Sequence, residues 1–378
     1  MDIIRASEMG DYARDQRAAQ NAILTGVVAS TNKKKERYWR HWCEYACGMG
    51  TDEWLSNPGT NKVRAITGFA ARVRSGYYGR GKQVGVQEVT VALSAIGSTF
   101  EMDSRQNPIK KDEKRYIKPI ELQIESYRRE DPAPKVHLAV PVSLVNWLSK
   151  QGQSTAASTK TAAIGDLGII AFYYLLRVGE YTRKKQGSTR TVQFRYKDVT
   201  FWKDGGIVEN SSTLKILTMA DAATLTIDNQ KNGKRGQTIH YEAIHGNNCP
   251  VKALARRINH LNLHSSTPET LICQHTINGR TEFIRNAVIV QAVRVGVTAL
   301  SLENSGIRPE HLGSHSLRAG GAMAMKLNGI DRDTIRKFGR WSGDTFLMYI
   351  HEQIAHMSAG VSTRMAQHVP FINIRQTK

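Results

Sequence analysis

The sequence predicts a mainly α fold in two domains, with a small antiparallel sheet confined to the second. Three observations predict it. Apolar residues recur at helical spacing through most of the 378-residue chain, whereas alternation with a period of two appears only between residues 191 and 241. A charged stretch from 103 to 135, carrying Pro108, Pro119, Pro132 and Pro134, separates a purely helical part from the rest. A chain of this length ordinarily makes roughly two or three domains of about 100 to 200 residues, each able to bury its own core. The expected domains are residues 1–130 and 131–378.

In the first domain, residues 1–30 are polar and Ala-rich with helical patterning. Ser30, Thr31 and Asn32 read as a cap for a helix that runs to about residue 47, where Tyr38, Trp39, Trp42 and Tyr45 share a face and Gly48 and Gly50 end it. Helices follow at 62–74 (Val63, Ile66, Phe69, Val73) and 87–100 (Val89, Ala92, Leu93, Ile96). The 103–135 stretch reads as a linker with at most one helix. In the second domain, helices are expected at 141–150 and at 161–176, the latter so apolar that it belongs in a core. Val192, Phe194 and Tyr196, then Val199 and Phe201, read as an irregular strand. Leu225, Ile227, Ile239 and Tyr241 flank Lys231-Asn232-Gly233-Lys234, a hairpin signal. Helical spacing returns at 251–263, 283–302, 315–327 and 331–338.

Composition narrows the function. Lys+Arg total 53 against 33 Asp+Glu, and this formal charge of +20 points to a polyanionic partner, nucleic acid ahead of an anionic membrane surface. A hydrophobic content of 40% excludes a wholly disordered basic tail. No run of about 18 apolar residues occurs and the N-terminus lacks a signal-peptide core, so a soluble intracellular protein is expected. Cys43, Cys47, Cys249 and Cys273 are too few and scattered for a disulfide scaffold. Cys43 and Cys47 are expected as buried thiols one helical turn apart. His240, His245 and Cys249, with Cys273 or His275, form the sharpest metal-ligand pattern, but lack the short paired spacing of zinc sites, so no metal is expected.

Four segments carry polar residues suited to chemistry. They are Leu175-Leu176-Arg177-Val178-Gly179-Glu180, the hairpin holding Lys231, His315-Ser316-Leu317-Arg318-Ala319-Gly320-Gly321, and Gly339-Arg340-Trp341-Ser342-Gly343-Asp344 followed by Tyr349. His-x-x-Arg arises about once by chance in a chain of this composition, so weight rests on the order and context of all four. In that order the sequence resembles the catalytic domain of the tyrosine recombinases, the family of phage integrases, Xer and Cre proteins. The Gly-Arg-Trp-Ser string resembles most closely the eukaryotic Crypton and DIRS-like mobile-element branch. The motifs span about residues 135–355, while the first domain is similar to the family's helical core-binding domain by pattern only.

The resemblance implies a site-specific DNA recombinase that breaks and rejoins strands through a 3′-phosphotyrosine, integrating or excising a mobile element. Arg177 and Arg318 would clamp the non-bridging phosphate oxygens, His315 would manage a proton, Lys231 would protonate the leaving oxygen, Trp341 would donate its indole N–H, and Tyr349 would be the nucleophile. It further implies double-stranded DNA with specific sites as partner, a homo-tetramer on paired sites, no cofactor or metal, no membrane, and a nuclear location in a eukaryotic source or a cytoplasmic, nucleoid one otherwise. Expected DNA contacts are Lys33, Lys34, Lys35, Arg72, Lys184, Lys185, Lys234, Arg235 and Arg340. Blander readings stand beside these: Arg177 as a cap paired with Glu180, His315 as a core histidine, Trp341 as a core aromatic, and Lys234 in place of Lys231 as the acid. At the level of the whole protein the alternatives are a catalytically silent DNA-binding or architectural protein on this fold and a type IB topoisomerase-like enzyme.

Overall fold

The computed structural model describes residues 2–26, 29–113, 115–133, 138–184, 192–228, 235–343 and 347, with side chains described from residue 12 onward except at 24, 25, 29 and 30. The chain forms two compact units, residues 1–134 and 135–378. The described part is mainly helical with a small antiparallel sheet in the second unit. No described helix is long and apolar enough to cross a membrane.

The first unit is helical: α1 (Asp2–Gly26), α2 (Ala29–Gly48), α3 (Lys62–Arg74), α4 (Val86–Met102) and α5 (Lys118–Glu130). Helix α2 begins at Ala29, ahead of the Ser30-Thr31-Asn32 signal read as its cap. Short polar side chains are tolerated in a first turn, so they do not mark its start uniquely. Trp42, Phe69, Leu93 and Ile96 fill the core, each buried aliphatic or aromatic side chain contributing about 1.5–3 kcal/mol. The Trp42 indole donates to the Glu53 carbonyl at 2.8 Å, so its one polar atom is satisfied. The stretch read as a linker instead packs Ile109, Ile120 and Ile124 into this core. Asp131, expected at the start of the second domain, accepts from Val86 N–H at 2.7 Å and pairs with buried Arg74, capping α4 in place of Gly85, which has no side chain to do so. Of the two thiols expected to be buried here, Cys43 is half-buried and Cys47 exposed, because the buried face of α2 is taken by Tyr38, Trp42 and Ala46.

The second unit opens with α6 (Val142–Gly152) and α7 (Thr159–Tyr173), the latter capped by Ser158, whose hydroxyl accepts from Thr161 N–H. Helix α7 runs through the core with Leu167, Ile169 and Ile170 fully buried. A short helix α8 (Val178–Tyr181) leads to a sheet of β1 (Val199–Lys203), β2 (Gly206–Val208), β3 (Ala222–Ile227) and β4 (Gln237–Glu242), ordered β2-β1-β3-β4 and antiparallel throughout. Helix α9 (Leu214–Thr218) links β2 to β3, and α10 (Pro250–Asn262) follows β4. The hairpin β5 (Gln274–Ile277) and β6 (Arg280–Phe283) precedes α11 (Asn286–Ala299), α12 (Ser316–Leu327) and α13 (Arg332–Gly339).

The strands depart from expectation in two respects. Phe194 and Tyr196 precede β1 rather than extend it: Phe194 N–H donates to the Glu180 carbonyl and Tyr196 opens a 3-10 turn, so this backbone is spent on the loop after α8. The runs around Leu225, Ile227, Ile239 and Tyr241 do pair antiparallel, as β3 and β4, and the Lys231-Asn232-Gly233-Lys234 segment read as their turn lies outside the described residues. The β1–β2 and β5–β6 hairpins were not expected. Each turns on a pair with positive φ, Asp204-Gly205 and Asn278-Gly279, the same dipeptide chemistry read only at Asn232-Gly233.

Candidate functional site: an arginine cluster around Glu180

Helix α7 ends at Tyr173, and Leu175 then takes a left-handed backbone conformation, φ 48°. That bend aims the Leu175 carbonyl at two guanidiniums: Arg318 Nη1 donates to it, and so does Arg340 Nη2 at 3.1 Å. Two residues on, Arg177 is the extended N-cap residue of α8. Its backbone N–H donates to Glu180 Oε2 at 2.8 Å and its Nη1 to Glu180 Oε1 at 3.2 Å.

Glu180 is 1% exposed and also accepts from Arg340, Nη1 to Oε1 at 3.2 Å and Nη2 to Oε2 at 2.9 Å. Burial works to raise its pKa, but Arg340 and Arg177 outweigh that and hold the carboxyl below its ordinary value. Burial lowers the pKa of Arg340 against the opposing pull of Glu180. One carboxylate thus serves two guanidiniums, and the third, Arg318, shares the Leu175 carbonyl with Arg340. The cluster carries a surplus of positive charge with its donors fixed, a setting for an anion with several acceptor oxygens.

Arg318 lies in the first turn of α12, 3% exposed, and donates also to the Gly339 carbonyl. Its Cζ sits 4.2 Å from the Trp341 ring centroid, a cation–π contact. His315 immediately precedes α12, three residues before Arg318, and is exposed, so it is not a core histidine. Arg177, with its side chain 25% exposed, reaches solvent as well. Lys184 lies along Gly179, where an added Cβ would come 2.7 Å from its Cε; burial lowers its pKa while Glu180 pulls it upward.

Of the six catalytic candidates, Arg177, Arg318 and Trp341 join this one cluster, and His315 is the residue just before the helix that carries Arg318. Lys231 and Tyr349 lie outside the described residues. Leu347, two residues before Tyr349, packs on the apolar group that includes Leu175 and Ala319. Arg340, expected on the surface as a DNA contact, is instead 5% exposed and engaged by Glu180 and Leu175. From the sequence Glu180 is expected only as the partner of a capping Arg177, and its spacing three residues on is the one signal of its place here.

Among the other expected contacts, Lys33 and Lys34 are exposed on α2 and Lys35 is half-buried. Lys34 and Arg37 both pair with Glu88 on α4, at 3.5 and 2.9 Å. Arg72 is exposed, with its guanidinium 4.7 Å from the Tyr45 ring and 4.9 Å from the Tyr77 ring. Arg235 is exposed, while Lys185 and Lys234 lie outside the described residues. No group of three or more His, Cys, Asp or Glu among the described residues is placed to hold a metal ion. Cys249 and Cys273 are buried in the core, and His240 meets the Thr224 hydroxyl at 2.9 Å.

No protein-family model matches the chain, and no curated protein matches it. Among solved structures the chain is similar to the Tn1549 transposon integrase in complex with circular intermediate DNA, at 15% identity over 92% of this chain and 98% of that one, with a TM-score of 0.49. It is similar to the XerH site-specific recombinase bound to palindromic difH substrate, at 16% identity over 82% and 74%, TM-score 0.47. A third is the lambda integrase dimer bound to a COC′ core site, at 12% identity over 96% and 99%, TM-score 0.47. These three solved structures are of integrases and a site-specific recombinase.

Proposed function

We propose that the protein is a site-specific DNA recombinase that cleaves and rejoins strands through a 3′-phosphotyrosine. The observation that carries this reading is the joining of Arg177 and Arg318, 141 residues apart in the chain's numbering, through Glu180, Arg340 and the Leu175 carbonyl. Two fixed guanidiniums in excess of local negative charge suit the charge that develops on the non-bridging oxygens of a phosphodiester under attack.

In this reaction the Tyr349 hydroxyl oxygen bonds to phosphorus as the bond to the 5′ oxygen breaks. The tyrosine proton passes to a base, with His315 as the candidate, and the 5′ oxygen takes a proton from Lys231. The phosphodiester energy is retained in the tyrosyl ester, so a second 5′ hydroxyl reverses the step on a new strand. The first unit, with exposed Lys33 and Arg72, would add backbone contacts, and paired sites would be joined by a homo-tetramer.

The test is incubation with supercoiled and nicked DNA, followed by denaturing gels for covalent adducts. Wild type should form them, and Tyr349→Phe should form none while binding DNA nearly as well, since one hydroxyl is lost and every cation remains. DNA binding without any adduct would instead identify a silent architectural protein; supercoil relaxation without recombination, a topoisomerase. Binding should also fall about 10³ to 10⁵ between 50 and 200 mM salt for roughly 6 to 10 phosphate contacts.

A further inference from the structure

We propose that Arg340 is a positioning residue, whose guanidinium occupies the Glu180 carboxylate so that Arg177 stays available to a phosphate; this rests on the strand-cleavage reading above. Arg340 makes two bonds to Glu180 and one to the Leu175 carbonyl, the acceptor it shares with Arg318. It therefore touches the partners of both arginines while being too buried to serve as an external contact.

Its backbone supports a dedicated role. Arg340 follows α13 at φ 57°, the left-handed conformation that glycine fills most easily at helix ends. A long charged side chain held there reflects surroundings that over-determine it, a pattern that concentrates at functional sites. The chain turn also brings Trp341 back over Gly339, so Arg340 and Trp341 both return toward Arg318.

The charge count explains what Arg340 does. With it, the cluster holds three guanidiniums and one carboxylate, and two of the guanidiniums share that carboxylate. Without it, the buried Glu180 would have Arg177 as its one remaining guanidinium partner in the cluster, and the full ion pair would compete with phosphate for the same N–H donors. Loss of Arg340 should therefore act through Arg177, and removing the charge on Glu180 should relieve it.

Arg340→Gly suits the test because glycine accepts the backbone conformation. Cleavage of nicked DNA under single-turnover conditions should fall about 10²- to 10³-fold, the range for losing a preorganised donor, with DNA affinity within about twofold of wild type. Adding Glu180→Gln to that variant should recover about tenfold, and in an Arg177→Ala background Arg340→Gly should cost less than about threefold more. Multiplicative losses, or no recovery with Glu180→Gln, would overturn the inference. Should Arg340→Gly fail to fold, Arg340→Lys carries the same comparisons, since a point charge cannot make the paired bonds. A second readout needs no cleavage: orthovanadate without DNA should raise the melting temperature of wild type and of the Arg340→Gly, Glu180→Gln pair, but not of Arg340→Gly alone. That pattern in a protein that forms no adduct would reject the recombinase reading and retain the role of Arg340. Equal stabilisation of all three would overturn that role.

Discussion

The guanidinium carbon of Arg318 lies over the Trp341 ring, 4.2 Å from its centroid, while its two terminal nitrogens donate to the carbonyls of Leu175 and Gly339. One planar cation thus reads the end of α7, the end of α13 and the aromatic residue beyond it. Arg318→Lys should lose the contact over the ring and the paired donors together, with a fall in cleavage rate on the order of 10² to 10³ and a smaller loss of DNA affinity. Single-turnover adduct formation alongside a binding titration separates the two.

Gly339 is required by the same aromatic ring. A Cβ built there would lie 1.5 Å from Cζ3 of Trp341, so Gly339→Ala must push the indole away from Arg318. The expected cost is about 1–3 kcal/mol for overpacking, read as a lowered chemical-denaturation midpoint. Trp341→Ala in the same chain should remove most of that penalty, because the atom met by the new methyl is gone.

Lys231 and Lys234 can be distinguished by leaving-group chemistry. A 5′ alkoxide needs a proton as it leaves, whereas a bridging sulfur leaves readily, thiols having a pKa of about 8.5. Lys231→Ala should be slow on ordinary DNA and largely rescued on a 5′-bridging phosphorothiolate, while Arg318→Lys should not be rescued. Thio rescue of Lys234→Ala alone would transfer the acid to Lys234.

Acid should weaken the second unit through His260. Burial first, then the charges of Arg257 and neighbouring histidines, push its pKa from 6.5 to about 4. The ring nitrogen Nε2 accepts from Thr276 N–H at 3.2 Å, a bond that protonation would destroy. The folded state therefore binds fewer protons than the unfolded chain between these values. Stability from this group is full above about pH 6.5 and is lost as pH falls toward 4. Discounted for partial exposure, the loss is roughly 1–2 kcal/mol, a drop of a few degrees in melting temperature between pH 7 and 4.5. His260→Asn should flatten that dependence.

Helix periodicity in the sequence located α3, α4, α7, α10 and α12 to within a few residues, because an amphipathic or wholly apolar pattern needs no knowledge of its partner. Short hairpins were less legible. Asp204-Gly205 and Asn278-Gly279 carry the turn signal, yet their strands are only three to five residues long and offer little alternation to read. The stretch containing α5 looked like a linker because its charges dominate its composition. Within α5 itself the buried residues are Ile120 and Ile124, and with Ile109 they dock the stretch on the core.

The sequence by itself determined that Arg177, Lys231, His315, Arg318, Trp341 and Tyr349 stand in an order suited to phosphoryl transfer, since that order is a property of the chain. The tertiary structure alone decided that Arg340 is buried rather than exposed, and that Glu180 joins it to Arg177. A charged residue's type sets what it can bind, but whether it meets solvent or a carboxylate depends on which segments the fold brings within about 3 Å, here residues 160 positions apart.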